Sequence, residues 1–132
     1  MTRNQGFASA GIVAAAAAVV IGFWNLGTPQ FQRQVGFDQE RVQNLSFLRT
    51  QIEAYYSAHQ QLPPSLVALP PNGAEMVDPA TGTIFGYQPS AGPAYQLCAD
   101  FTTDTTAAQP RFPLPFSRHQ AGHVCFPLSA AQ

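Results

Sequence analysis

One uncharged apolar segment, Phe7–Leu26 with the sequence FASAGIVAAAAAVVIGFWNL, constrains this chain more than any other feature. Its length of about twenty residues is that of a helix crossing the hydrocarbon core of a bilayer. A cleaved signal peptide is disfavoured, because a signal peptidase needs small residues where this segment has the bulky stretch Gly22–Leu26. A buried helix of a soluble domain is also disfavoured, because the rest of the chain is too polar to enclose it. The sequence therefore predicts a transmembrane helix over residues 7–26, after a cytoplasmic tail of residues 1–6.

Small residues recur on this predicted helix at a spacing of four. Such a spacing lets a second helix approach closely, and van der Waals packing is a main force that joins helices in lipid. The alternative is an anchor that faces only lipid. The predicted helix-packing face consists of Ala10, Gly11, Ala14, Ala15, Ala18 and Gly22. Because the span contains no charged residue and no histidine, it offers neither a proton relay nor a haem ligand.

The composition of the remaining chain indicates one small domain. With 132 residues in total, a connector over residues 27–37 and a single domain over residues 38–132 are expected. The net charge is −1 and the chain has no lysine, so a nucleic-acid partner is not expected. The twelve prolines lie mostly after residue 60, and they predict short strands and turns there.

Cys98 and Cys125 are the only cysteines in the chain. Outside the membrane, such a pair predicts a disulfide formed in an oxidising compartment. Positive charges are enriched on the cytoplasmic side of membrane spans, but here they indicate the orientation only weakly, because Arg3 precedes the span and Arg33 follows it. We therefore predict that the N-terminus is cytoplasmic and that the C-terminal domain is periplasmic.

An amphipathic helix is predicted from Asp38 to about Gln60. Asp38 is expected to cap its start, and Gly36 to interrupt the chain before it. A proline pair that begins at Pro63 is expected to stop it. Apolar positions at spacings of three and four predict one buried face, consisting of Val42, Leu45, Leu48, Ile52, Tyr55, Tyr56 and His59.

The second half of the chain predicts a small antiparallel sheet. Residues Ala94–Phe101 alternate between apolar and polar positions, as in a half-buried strand. The other predicted elements are a short helix at Pro64–Leu69, turns at Pro70–Gly73 and Asp78–Gly82, a strand at Thr83–Gln88, a hairpin loop at Pro89–Pro93, a polar loop at Thr102–Pro115 and a last strand at His123–Leu128. The fold class predicted from these elements is α+β, with the amphipathic helix packed on the sheet.

Four patterns in the sequence are candidate sites of chemistry. His119, His123 and Cys125 with Cys98 match a loose zinc set, but an oxidising compartment favours the disulfide over a metal or a Cys–His nucleophile. Asp78 is a turn residue more simply than a calcium ligand. The other two patterns are a carboxylate pair, Asp100 and Asp104, and an aromatic pocket of Tyr55, Tyr56, Tyr87 and Phe101, which is more simply part of the core. No enzyme motif is present, so no catalytic residue, metal or cofactor is expected.

Five short motifs occur in a fixed order along the chain. They are D-x-x-R-V-x-x-L at Asp38–Leu45, Y-Y-x-x-H-x-x-L-P-x-S-L at Tyr55–Leu66, D-P-x-T-G at Asp78–Gly82, Y-x-L-C-A-x-F at Tyr95–Phe101 and H-x-x-G-x-x-C-F at His119–Phe126. The ordered set resembles that of uncharacterised bacterial single-pass membrane proteins with a type IV pilin or pseudopilin-like periplasmic domain. The resemblance implies a bacterial inner membrane and a pseudopilin-like arrangement of helix and sheet.

One departure from the pilin pattern concerns assembly. Gly6-Phe7 fits a prepilin cleavage position, but Gly11 stands where prepilins carry a glutamate at the fifth mature position. We expect a non-catalytic accessory subunit of a larger inner-membrane complex, for example a respiratory or photosynthetic one, whose partners are other membrane subunits. The alternatives are a pseudopilin-like subunit of a secretion or pilus system and a periplasmic ligand-binding module.

Overall fold

The structure, a computed structural model, describes residues 3–70, 75–108 and 114–131. The chain divides into two compact units, Met1–Arg33 and Gln34–Gln132. The first unit contains helix α1, Arg3–Leu26. This helix starts inside the predicted tail of residues 1–6, because none of Arg3–Gly6 is a helix-breaking proline and the helix simply extends through them. The predicted turn at 70–73 lies almost wholly outside the described residues, as does the middle of the 102–115 loop.

The break between α1 and the next helix falls where glycine and proline predict it. Gly27 has a φ of 72°, a left-handed conformation that favours glycine. The hydroxyl of Thr28 then accepts a hydrogen bond from the amide of Phe31 (3.3 Å), as a capping residue does. Pro29 occupies the first helical position, where its missing amide hydrogen costs nothing.

Helix α2 spans Pro29–His59 and is longer than predicted. The expected connector at 27–37 is mostly helical, Gly36 does not interrupt the helix, and Asp38 is not its cap. One glycine costs a helix only about 1 kcal/mol relative to alanine, so Gly36 is tolerated within it. The threonine–proline start at Thr28 and Pro29 is a stronger local signal than Asp38, and it sets the true boundary.

The buried face of α2 agrees with the predicted stripe except at its end. Val42, Leu45, Leu48 and Ile52 are buried. His59 is exposed instead, where its ring stacks on that of Tyr55 with centroids 4.1 Å apart. The prediction for His59 was wrong because it lies in the last turn of α2, after which the chain turns away at Gln60 (φ 55°).

Three strands form an antiparallel sheet in the order β1-β2-β3. They are β1 (Gly86–Pro89), β2 (Ala94–Phe101) and β3 (Gly122–Ser129). The predicted first strand, Thr83–Gln88, is displaced, because the carbonyl of Thr83 closes the preceding turn by accepting from the amide of Asp78 (2.7 Å). A single turn of 3-10 helix at Leu66–Ala68 matches the predicted short helix.

One face of β2 and the buried face of α2 share a hydrophobic core. The inward side chains of β2 are Tyr95, Leu97, Ala99 and Phe101, as the alternation predicted. Phe116 from the loop before β3 completes this core and is fully buried. The opposite face of the sheet carries the disulfide between Cys98 and Cys125. The α+β class and the disulfide are thereby confirmed.

Candidate functional site

Helix α1 exposes an apolar surface along its described length. Its side chains from Ser9 to Trp24 are exposed, apart from the partly covered Gly22. The exposed fraction reaches 71% at Ile12 and 85% at Trp24. Within the described part of the chain, α1 supplies the single segment that is long and apolar enough to cross a membrane. Monomeric soluble proteins rarely expose an apolar surface of this extent.

The predicted helix-packing face lies within this exposed surface. Its members are exposed, except that Gly22 is partly covered: Ala10, Gly11, Ala14, Ala15, Ala18 and Gly22. A Cβ atom added to Gly11 or Gly22 would meet nothing within 4 Å among the residues that the structure describes. Their lack of a side chain therefore serves no contact among the described residues, but it does leave room for the close approach of another helix.

A buried ionic network fastens α2 to two loops of the domain. The guanidinium of Arg41 donates to both carboxylate oxygens of Asp78 and, over 2.6 Å, to Asp38 one helical turn earlier. Asp38 also accepts from the amides of Thr102 (3.1 Å) and Thr103 (2.7 Å). All three charged residues are at least 95% buried. Each charge has its partners, as burial of an ion requires.

The surroundings keep both carboxyl groups ionised. Burial alone would raise the pKa of Asp38, but the hydrogen bonds from Thr103, Thr102 and Arg41 together outweigh it and lower the pKa below 3.8. For Asp78, burial is likewise outweighed by hydrogen bonds from Arg41 and from the amides of Ala80 and Thr81, so its pKa is also lowered. In this structure Asp78 therefore closes a turn and binds Arg41, as expected of a turn residue.

A cleft of about 450 Å³ lies beside this network, between α2 and the loop that leads to β3. Its lining includes Val35, Gln39, Gln43, Thr103, Thr105 and His119. The imidazole of His119 is buried in the cleft wall and stacks on Phe101, with ring centroids 3.7 Å apart. A hydrogen bond from the amide of Thr105 to the carbonyl of His119 (2.9 Å) holds this wall together.

The aromatic pocket considered as an alternative from the sequence is not formed by either of the two described clefts. Phe101 belongs to the core, and Tyr55, Tyr56 and Tyr87 pack against the edge of that core. The hydroxyl of Tyr87 donates to the carbonyl of Pro63 (2.9 Å), and burial raises the pKa of Tyr87 to about 12. These aromatic side chains therefore stabilise the domain, as the simpler of the two sequence interpretations held.

The disulfide has polar neighbours on the outer face of the sheet. Cys98 is buried on the central strand, whereas Cys125 is exposed on β3. The Nε2 atom of His123 lies 3.5 Å from the Sγ atom of Cys125. The Nδ1 atom of the same ring lies 2.9 Å from a carboxylate oxygen of Asp100 on β2. The imidazole of His123 therefore lies between the carboxylate of Asp100 and the sulfur of Cys125.

The loose zinc set of His119, His123, Cys98 and Cys125, which the sequence already disfavoured against the disulfide, is not assembled. Both sulfur atoms are consumed by the disulfide, and His119 is stacked in the core while His123 sits on the outer face of the sheet. The proposed carboxylate pair is divided as well. Asp100 contacts His123, and Asp104 accepts from the amide and hydroxyl of Thr106 within its own turn.

The contact between Asp100 and His123 was not predicted, although the sequence contains a signal for it. If Cys98 and Cys125 are opposite each other in antiparallel strands, the residues two places on and two places back are also opposite. The register confirms this, because Asp100 pairs with His123. Arg41 was missed for another reason: its partner Asp78 is distant in sequence, and no local pattern joins them.

Comparisons with known proteins assign this chain to no family. A scan against protein-family models, a search of curated proteins and a search of solved structures each gave no match.

Proposed function

We propose that this protein is a non-catalytic accessory subunit of a larger complex in a bacterial inner membrane, such as a respiratory or photosynthetic complex. In this proposal α1 is the membrane anchor and the N-terminus is cytoplasmic. The domain that follows is periplasmic and pseudopilin-like, and it caps the complex on that side. Its partners are other membrane subunits.

The observation that carries the proposal is the uncovered small-residue face of α1. Alanine and glycine bury little apolar area against lipid, so a helix built from them gains little from lipid contact alone. The same residues allow two helix backbones to approach closely, and close packing stabilises helix pairs in lipid. Ala14 and Ala18 lie near the middle of the segment, where a partner helix would make its closest contact.

The disulfide and the ionic network support the rest of the proposal. A disulfide persists in an oxidising compartment, which favours a periplasmic position for the domain. The buried charges Asp38, Arg41 and Asp78 all have partners inside the domain. They are thus committed to holding the domain rigid, which suits a structural role.

A matched pair of variants in α1 tests the proposal. Ala18→Leu adds bulk to the predicted packing face, whereas Ala16→Leu adds the same bulk to the opposite side of the helix. With a C-terminal tag and mild detergent, we expect Ala18→Leu to lower the yield of co-purified membrane subunits severalfold. Ala16→Leu is expected to leave that yield unchanged.

Equal yields for the two variants would contradict the packing role of this face. A chain that begins at N-methylated Phe7 and co-purifies with secretion or pilus components would favour the pseudopilin-like alternative instead. Both variants must reach the membrane in equal amounts, which quantitative detection of the tag in isolated membranes establishes.

A further inference from the structure

The outer face of the sheet brings together the disulfide, an imidazole and a carboxylate, which are the groups that thiol–disulfide exchange can use. Cys98, Cys125 and His123 place their sulfur atoms and a ring nitrogen within 4.8 Å of one another. Asp100 holds the other ring nitrogen at 2.9 Å. We propose that the Cys98–Cys125 disulfide is a thiol–disulfide exchange site, in which Cys125 forms the mixed disulfide, Cys98 resolves it, and His123 with Asp100 handles the proton. This reactivity is stoichiometric, and it goes beyond the structural role proposed above.

The geometry assigns the proton-transferring role to His123. A carboxylate only accepts hydrogen bonds, so Asp100 fixes the tautomer in which Nδ1 carries the hydrogen. The Nε2 atom then presents its lone pair toward Cys125, at 3.5 Å from Sγ. A thiol on Cys125 can pass its proton to this nitrogen and become the thiolate, which is the reactive form of cysteine. Asp100 is the positioning residue for that step.

Exposure distinguishes the two cysteines. Only 3% of the surface of Cys98 is exposed, whereas Cys125 is exposed on a strand at the edge of the sheet. A Cβ atom added to Gly86 would lie 2.8 Å from the Cβ atom of Cys98, so β1 closely covers that residue. An incoming sulfur atom can therefore reach Cys125. The buried Cys98 is then the resolving residue, which attacks the mixed disulfide formed at Cys125.

A second cleft lies on the same side of the sheet, with a volume of about 230 Å³. Cys98, Asp100 and His123 form part of its lining, together with Thr83 and the 57% exposed side chain of Ile84. The cleft gives a partner chain a place to lie beside the disulfide. The partner class is a protein or small molecule that carries a dithiol or a disulfide.

The exchange balances with a dithiol partner. One partner thiol gives up its proton to water and its thiolate attacks Sγ of Cys125; a new sulfur–sulfur bond forms, and the bond to Cys98 breaks as Cys98 leaves with the electron pair and takes up a proton from water. The second partner thiol passes its proton to His123, and its thiolate attacks the partner sulfur of the mixed disulfide, which releases Cys125 as a thiolate beside protonated His123. Two electrons and two protons pass to the protein, and the partner leaves as a disulfide. Oxidation by a disulfide partner is the reverse.

The test uses the full-length chain in mild detergent, with dithiothreitol as the dithiol and oxidised glutathione as the disulfide. We expect dithiothreitol to reduce Cys98–Cys125 while the near-ultraviolet circular dichroism of the tyrosines still reports a folded domain. After reduction, oxidised glutathione should add to Cys125 first, as peptide mapping by mass spectrometry identifies. The variant Cys98→Ser should accumulate that adduct, and the wild-type mapping gives the same answer if this variant does not fold.

Histidine variants separate a reactive site from a structural bridge. His123→Ala is expected to slow the reaction of reduced Cys125 with oxidised glutathione by about tenfold or more. Asp100→Asn should slow it less, and His59→Ala, which removes an exposed histidine elsewhere, should leave the rate unchanged. The proposal is wrong if His123→Ala reacts at the rate of His59→Ala. It is equally wrong if the disulfide is reduced only when urea unfolds the domain, or if glutathione adds first to Cys98.

Discussion

Replacing Arg41 with methionine tests whether the buried ionic network holds the domain together. Methionine keeps much of the apolar stem of arginine, so the main loss is the charge and its hydrogen bonds. The guanidinium donates to two carboxylates, Asp38 and Asp78, whose side chains are only 4% and 7% exposed. Without Arg41 both carboxylates remain buried with no opposite charge beside them. Removing one partner of such a network costs about 3–5 kcal/mol of unfolding free energy.

A second arginine on the same helix provides the control. Arg49 pairs with Glu53 four residues later at 2.6 Å, and the two side chains are 25% and 28% exposed. Because water screens this pair, Arg49→Met is expected to cost only about 0.5 kcal/mol. The contrast between the two variants therefore isolates the effect of burial.

Urea unfolding of the full-length protein in mild detergent measures both variants. All four tyrosines lie in the domain and the single tryptophan lies in α1, so tyrosine circular dichroism reports the domain alone. Adding Asp78→Asn to Arg41→Met should recover part of the loss, because it removes one of the unpaired charges. A cost for Arg41→Met within 1 kcal/mol of that for Arg49→Met would refute this role of the network.

Three further predictions concern the same domain and the same unfolding assay. Because the pKa values of Asp38 and Asp78 are lower in the folded state than the unfolded value of 3.8, the stability they contribute is complete above that value and decreases as the pH falls through the folded pKa values. Acid should therefore lower the unfolding free energy below about pH 4, and a constant free energy from pH 5 to pH 2 would contradict this. Tyr87→Phe should cost about 1 kcal/mol by removing a hydrogen bond to a proline carbonyl, whereas Tyr95→Phe should stabilise by about 1 kcal/mol, because its buried hydroxyl has no partner among the described residues. Equal effects would refute the distinction. Gly86→Ala should cost about 1–3 kcal/mol because the new methyl group overlaps a buried cysteine, and an unchanged stability would show that β1 can move away.

Helices and strands whose apolar pattern lies within one short segment were predicted from the sequence. Strand β2 was predicted with its observed bounds, because apolar and polar side chains alternate along Ala94–Phe101 and so place the apolar ones on one buried face. The start of α2 was misplaced because two capping signals compete there. Asp38 precedes the apolar stripe, but Thr28 and Pro29 form a complete cap further upstream.

The candidate sites were only partly predictable, because they depend on residues distant in sequence. Asp38 and Arg41 are one helical turn apart, yet their other partners, Asp78 and Thr102, come from loops elsewhere in the chain. The disulfide was predicted from composition and compartment. Its histidine neighbour was not predicted, because its position depends on the register between β2 and β3.

The central proposal is that this chain is an anchored subunit of a larger membrane complex. The most direct test is to identify the membrane proteins that co-purify with it. The full-length chain should be purified through a C-terminal tag in mild detergent, and both the intact chain and its companions should be identified by mass spectrometry. We predict stoichiometric co-purification with the subunits of one membrane complex, and a chain mass lower by two hydrogens because of the disulfide. A chain that purifies alone in detergents that preserve membrane complexes would contradict the proposal.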